Sequence, residues 1–356
     1  MFDAIVKKIQ SEGLWRMPHR GFLESGMDRE ADTVIKTYFY NSHDQQMHHD
    51  IDLEHLDDYL ANDHDLLWID LYNWTPAELE RVGKLFDFHP LAIEDCLSDS
   101  PRSKVDAYDS YYFFVLHALK YNEQSDREIT SEELNMFLSK NYIVTVHSDP
   151  IQPIGAIAAT SLRQPTYMNK GSDFLLYSIV DGITDSYFPI LDRLSIRIDE
   201  LEDEMYEHPA MTITEEFLSL KRTIVVIRRV IQSKKRIFAG IGTTPAFRVQ
   251  ADNVPYYMDL IDHLERISDS LEVYRDLVSG ALDTYSSLGT AKTNETMRIL
   301  TIITTLTATL TLITGVFGMN VPLPFQHEWW SSVAVTLAML GVTWWMIKLF
   351  RKRKWI

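Results

Sequence analysis

Two long apolar runs near the C-terminus constrain the fold of this chain more than any other feature. From Met297 to Phe317 there are 21 residues with one charge, Arg298, in the first turn, and from Trp329 to Ile347 there are 19 with none. At 1.5 Å per residue, helices of these lengths reach roughly 28–32 Å, enough to cross the hydrocarbon core of a bilayer. Two buried helices of a soluble core would be the plainer explanation. Against it, Trp329, Trp330, Trp344 and Trp345 bracket the second run, as interfacial aromatic belts do. The connection Gly318–Glu328 is short, so the runs form a hairpin with both outer ends on one side. Lys348, Arg351, Lys352, Arg353 and Lys354 follow at once, which by the positive-inside rule places the C-terminus in the cytoplasm. The hairpin then brings residues 1–295 there as well. The first thirty residues carry no apolar signal-peptide core. The expectation is a two-span protein of the cell (inner) membrane with both termini cytoplasmic.

Charge is divided along the same boundary. The 356 residues have a formal charge of −17, but residues 1–295 hold 28 Lys and Arg against 50 Asp and Glu, a net of −22. The last 61 residues hold 6 basic side chains and 1 acidic one, a net of +5. An acidic body of this kind argues against nucleic-acid binding, which needs cations for the phosphates, and fits either mere solubility or attraction for cations. A single cysteine, Cys96, excludes a disulfide framework or a multi-thiolate metal site within one subunit. No nucleophile–base pair, phosphate loop or dinucleotide fingerprint stands out, so the chain reads as non-enzymatic.

The acidic body opens as an α+β domain, with a mixed sheet and helices, over 1–165. Val34–Tyr40, Leu66–Leu71, Tyr111–Leu119, Leu134–Leu138 and Tyr142–Val146 have the length and apolar content of strands. Thr75-Pro76-Ala77-Glu78 supplies an N-cap, a proline at the first helical position and an acidic first turn. Residues 166–250 read as an antiparallel helical pair, Ser172–Tyr206 and Thr214–Phe238, joined by an acidic link that ends at Pro209. A stalk helix and the first span occupy 251–317, an outer loop 318–328, the second span 329–349 and a basic tail 350–356. On the stalk, Leu260, Leu264, Ile267, Leu271, Tyr274, Val278, Ala281, Tyr285 and Leu288 repeat alternately every four and three residues, a heptad seam for helix packing. A continuous helix over 255–317 would be roughly 95 Å long. Such a rod is unstable alone, so self-association is expected.

The first span holds seven threonines, Thr301, Thr304, Thr305, Thr307, Thr309, Thr311 and Thr314. Threonine can satisfy its hydroxyl on a carbonyl one turn back, so such a span can be a packed helix and nothing more. Yet Asn294, Met297, Thr301, Thr304, Ala308, Thr311 and Gly315 also recur every three or four residues as one small or polar stripe. Two spans cannot enclose a pathway, and the stripe becomes a conduit only when several copies surround an axis.

The span ends in Gly318-Met319-Asn320. With its position before a second C-terminal span and the tail FRKRKW, this motif resembles the CorA family of divalent-cation channels. The likeness extends through WIDLYNWTPAELERVGKLFDFHPLAIEDCL, PRSKVDAYDSYYFFVLHAL and NMFLSKNYIVTVHSD. It implies a homopentameric funnel in which the first span lines the pore, with lipid and divalent metal ions as partners. Asn320 would form a ring of side-chain carbonyls at the outer mouth, Gly318 would supply the turn and Met319 would pack behind the ring. Mg²⁺ gives up water reluctantly, so such a ring selects in part by hydrated size. The resemblance also makes Thr311, Asn294 and Asp283 polar pore positions, and Met297 and Leu300 the hydrophobic constriction. It makes Asp95, beside Glu94, and Asp259 the inter-subunit metal-sensing carboxylates. Mg²⁺ is then both cargo and regulator, with Co²⁺, Ni²⁺ or Zn²⁺ as further cargo. Five copies of −22 place about −110 around one axis, and bound divalent cations would relieve that repulsion.

Two departures and three rivals accompany the resemblance. Phe317 stands where many relatives have Tyr, and the outer loop has one acid, Glu328, beside His327, which suits softer metals. The ZntB branch, which carries Zn²⁺, usually shows Gly-Ile-Asn, so Met319 favours the Mg²⁺ branch. A membrane-tethered metalloenzyme could use His43, His48, His49, His55 and His64, although no HExxH spacing occurs. A non-conducting metal sensor is the third.

Overall fold

The computed structural model describes residues 34–98, 100, 102–121, 129–207, 211–241, 246–319 and 329–355. Their elements run β1 (Val34–Asn41), β2 (Gln46–His49), α1 (Leu56–Leu60), β3 (Leu66–Tyr72), α2 (Pro76–Leu85) and α3 (Pro90–Leu97). Next come β4 (Lys104–Ala107), β5 (Tyr112–Tyr121), β6 (Ile129–Leu138), β7 (Tyr142–His147) and α4 (Gln152–Ser161). The remainder is helical: α5 (Ser172–Asp185), α6 (Phe188–Glu207), α7 (Met211–Phe238), α8 (Val254–Phe317) and α9 (Trp329–Lys352). Two compact units result, Met1–Val278 and Ser279–Ile356.

In the first unit the strands form one sheet in the order β2-β1-β3-β7-β6-β5-β4, antiparallel except for the β3–β7 pair. Leu67, Ile69 and Leu71 of β3 join Leu79 and Val82 of α2 and Ile93 of α3 in a core on one face. Leu66, Trp68 and Asp70 point to the other face and are also buried. Burial on both faces is why β3 reads as a continuous run rather than an alternation. Thr75 is the expected N-cap and forms a capping box with Glu78, the Thr75 amide donating to Glu78 Oε2 at 2.8 Å.

The expected helix Ser172–Tyr206 is two helices, so residues 166–250 hold α5, α6 and α7 rather than a pair. Pro189 is the cause. Inside a continuous helix its ring would clash with the carbonyl four residues back, whereas in the first turn of α6 it is tolerated. Tyr187, at the break, is fully buried, donates to His117 O at 2.9 Å and accepts from Lys234 Nζ of α7 at 2.6 Å. Burial alone pulls the Lys234 ammonium down to about 7.

The heptad seam of α8 is real through this unit: Leu260, Leu264, Ile267, Leu271 and Val278 are fully buried, and Glu265 meets Lys235 of α7 at 3.4 Å. Beyond Ala281 the seam loses its cover, and Leu288 is exposed. In the second unit α8 and α9 each contain a stretch long and apolar enough to span a membrane, with mean hydropathy of 1.9 and 1.7.

A buried polar network ties the parallel strands together. His147 Nε2 lies 3.1 Å from Asp70 Oδ1 and His147 Nδ1 lies 2.6 Å from the carbonyl of Asp149. Thr145 Oγ1 donates to the same Asp70 oxygen at 2.6 Å and accepts from Trp68 Nε1 at 3.1 Å. Both imidazole nitrogens face acceptors, so the ring is held as the cation. Burial opposes the charge, but the Asp70 hydrogen bond and charge outweigh it and raise the His147 pKa. Its stabilising contribution is therefore complete below about 6.5, the unfolded value, and is lost as pH rises through the higher folded value. His147→Gln leaves Asp70 buried beside an uncharged partner and should cost ~3 kcal/mol. Thermal denaturation across pH 6 to 9 checks this: the deficit against the parent should shrink as pH rises.

Candidate divalent-cation sites

Two helices of the first unit bring four potential ligands together. Asp181 and Asp185 lie one turn apart on α5, and Asp259 and His263 one turn apart on α8, the i, i+4 spacing that puts side chains on one face. Their alignment is set at the start of α8. There Asp173 of α5 accepts from the Gln250 amide at 2.8 Å and from Asn253 Nδ2 at 3.0 Å, while Tyr257 Oη donates to Asp173 O at 2.7 Å. One turn further on, His263 Nδ1 stands 3.5 Å from Asp181 Oδ1 and 3.8 Å from Asp185 Oδ1, with His263 Nε2 3.6 Å from Asp259 Oδ2.

These separations exceed those of good hydrogen bonds. Asp181 Oδ1 and His263 Nδ1 are both buried and make no hydrogen bond, although they face each other. Burial and then the Asp185 charge push the Asp181 carboxyl above its usual range, with His263 opposing them. One ligand atom each from Asp181, Asp185 and His263 fits within 4.8 Å. Buried, unpartnered donor atoms among converging carboxylates suit a divalent cation, with oxygen donors fitting Mg²⁺ and the imidazole fitting Co²⁺ or Ni²⁺ as well. Of this group the sequence reading named Asp259 alone. The signal for the rest was the pair of Asp-x-x-x-Asp and Asp-x-x-x-His spacings.

Asp95 sits elsewhere. Ala92, Ile93 and Cys96 turn into the core, which leaves Glu94 exposed and Asp95 partly so on the outer side of α3. Asp95 Oδ2 is 2.7 Å from Lys104 Nζ at the start of β4, and the same ammonium is 2.8 Å from Asp106 Oδ2. Thus Asp95 faces Lys104 Nζ at 2.7 Å, and Asp259 faces the His263 ring at 3.6 Å.

In the second unit, Asp283, Asn294, Met297, Leu300 and Thr311 all lie exposed on α8. Most threonine hydroxyls bond back one turn, among them Thr301 to Met297 O at 2.7 Å, Thr304 to Leu300 O at 2.8 Å and Thr305 to Thr301 O at 2.6 Å. Among the described residues, Thr307 and Thr311 make no such bond. Gly318 ends the helix, its amide bonded to Thr314 O at 2.8 Å; a Cβ there would come within 3.1 Å of that carbonyl. Met319 is exposed. Asn320 and the rest of the outer loop, with His327 and Glu328, lie outside the described residues. Of the N-terminal histidines, His48 faces Asp44 at 3.9 Å and His49 faces Asp50 at 2.9 Å, both exposed.

An acidic α+β body whose long last helix runs into the first of two C-terminal stretches long and apolar enough to span a membrane defines a class of membrane protein, and its carboxylate cluster points to divalent cations. The family model for CorA-like Mg²⁺ transporter proteins matches residues 63–352, and the chain belongs to that family. It is 34% identical over 297 residues to the cobalt/magnesium transport protein CorA of Thermotoga maritima, covering 81% of this chain and 83% of that protein. The complete structure of the CorA magnesium transporter from Methanocaldococcus jannaschii superposes with a TM-score of 0.78 at 25% identity, covering 91% of this chain and 99% of that one. Similarity to the zinc transport protein ZntB of Pectobacterium atrosepticum is lower, 22% over 296 residues, covering 81% of this chain and 88% of that protein.

Proposed function

We propose that five copies of this chain form a channel for passive, potential-driven influx of Mg²⁺, with Co²⁺ and Ni²⁺ as further cargo, closed by cytosolic Mg²⁺. The observation that carries the reading is the small or polar stripe Asn294, Met297, Thr301, Thr304, Ala308, Thr311 and Gly315 on a span left without cover in the single chain. Lipid suits the apolar remainder of such a helix, whereas a stripe that carries Asn294 and Thr311 suits neighbouring copies and water. Met297 and Leu300 lie at the cytosolic end of the stripe, where a ring of apolar side chains blocks ions by dewetting. The basic tail after α9 supports cytoplasmic termini by the positive-inside rule.

An inside-negative potential contributes about 4.6 kcal/mol per divalent ion per 100 mV, from about 2.3 per unit charge, so influx requires no hydrolysis. Closure follows from repulsion: clustered carboxylates at Asp181, Asp185 and Asp259, with Asp95 and Glu94, push elements apart until cations neutralise them. Two observations support this role, the raised Asp181 carboxyl and the unpartnered Asp181 and His263 atoms.

Flux into chelator-buffered proteoliposomes tests the cargo. Entry of Mg²⁺, Co²⁺ and Ni²⁺ should each exceed entry of Zn²⁺ at equal free concentration. Zn²⁺ flux above Mg²⁺ flux would transfer the chain to the ZntB-type reading.

A further inference from the structure

Lys104 is the one lysine that bridges two carboxylates among the described residues, and one of those carboxylates is Asp95. Its Nζ is 2.7 Å from Asp95 Oδ2 and 2.8 Å from Asp106 Oδ2, short charge-assisted contacts that use two of the three ammonium protons. The side chains are only partly covered, 38% exposed for Lys104 and 28% for Asp95, so both stay within reach of solvent ions. Burial disfavours the Lys104 charge, but the hydrogen bonds it donates to Asp106 and Asp95 outweigh that and raise its pKa.

We propose that Lys104 is a tethered counter-ion that competes with divalent cations for Asp95 and thereby sets the concentration at which cytosolic Mg²⁺ acts. The inference rests on the reading of Asp95 as a sensor carboxylate. An ammonium is a compact point charge on a flexible four-carbon stem, so it can leave a carboxylate without disturbing the backbone. With the ammonium in place, Asp95 and Asp106 share one positive charge. A divalent ion that displaces it overcompensates Asp95, and Lys104 retires onto Asp106. Asp106 is therefore the parking site that makes displacement easy. The two neighbours of the ammonium then have opposite effects. Removing Lys104 strengthens metal binding at Asp95, whereas removing Asp106 commits the lysine to Asp95 and weakens it.

The full chain in proteoliposomes, with Mg²⁺ as the probe, tests this through the internal Mg²⁺ concentration that halves influx. Lys104→Met keeps the apolar stem and should lower that concentration about fivefold, the scale of one partly exposed ion pair. Asp106→Asn should raise it, and Lys104→Arg, which keeps the charge, should remain within about twofold of the parent. Mg²⁺-dependent thermal protection of the same variants gives a second readout that does not depend on flux. An unchanged or raised value in Lys104→Met, with Asp95→Ala abolishing inhibition, overturns the competition and leaves the sensor standing. Retained inhibition in Asp95→Ala overturns the sensor reading and the competition with it.

Discussion

Replacing Asn320 with alanine should reduce Mg²⁺ influx about 100-fold while leaving assembly and membrane insertion intact. The size follows from the proposed five-fold symmetry. In such a pentamer, one side-chain carbonyl lost per copy would remove five hydrogen bonds to the ion's water shell at once, and at ~0.5 kcal/mol each the sum is ~2.5 kcal/mol. That is close to two powers of ten in occupancy of the outer mouth. A single amide facing lipid or a packed interface would cost nothing comparable in flux. Initial rates of Mg²⁺ entry, measured beside detergent-solubilised mass, separate the two cases. Undiminished flux in a correctly assembled Asn320→Ala protein would support a non-conducting sensor instead.

Replacing Asp181 and Asp259 together with asparagine should abolish inhibition by cytosolic Mg²⁺, raising the half-inhibitory concentration by 30-fold or more, on the order of ~2 kcal/mol. The same variant should be more heat-stable than the parent in chelator, because repulsion among Asp181, Asp185 and Asp259 is relieved. It should also gain little from added Mg²⁺, whereas the parent should gain ~2.7 kcal/mol at a hundredfold excess over its dissociation constant. Crossing of the two stability curves is what distinguishes an ion site from a structural hydrogen-bond network. In a network, asparagine would lower stability under both conditions. The pair Asp95→Ala with Asp259→Ala should likewise lose inhibition, and an unchanged Mg²⁺ response there would contradict gating through these carboxylates.

Much of the fold was legible because it is written in local patterns. The spans follow from counting apolar residues, and the seam from Leu260 to Val278 from its alternating spacing; both are buried or exposed as those patterns require. Short edge strands were not legible. Gln46–His49 is polar and Lys104–Ala107 is four residues long, so each depends on a neighbouring strand rather than on its own composition. The helix Gln152–Ser161 contains Pro153 and Gly155 and is held by burial of Ile154, Ile157 and Ala158, a tertiary effect that propensity does not report. The break at Tyr187 has a local signal in Pro189, set within helical periodicity on both sides.

The cation cluster shows the same limit. Two i, i+4 pairs were present in the sequence, but nothing local says that α5 and α8 align them. The clamp from Asp173 to Gln250 and Asn253 does so, through contacts distant in sequence. Asp95 shows the converse. A motif reading marked it as a metal ligand, and only the three-dimensional arrangement revealed the ammonium already beside it.

Single-channel or macroscopic current in planar bilayers, with Mg²⁺ varied independently on the two faces, tests the central claim most directly. Mg²⁺ on the outer face should carry inward current that grows with inside-negative potential, and Mg²⁺ raised on the cytosolic face alone should close the same channels. Current that is absent at every potential, or that is unaffected by cytosolic Mg²⁺, would contradict a channel regulated by its own cargo.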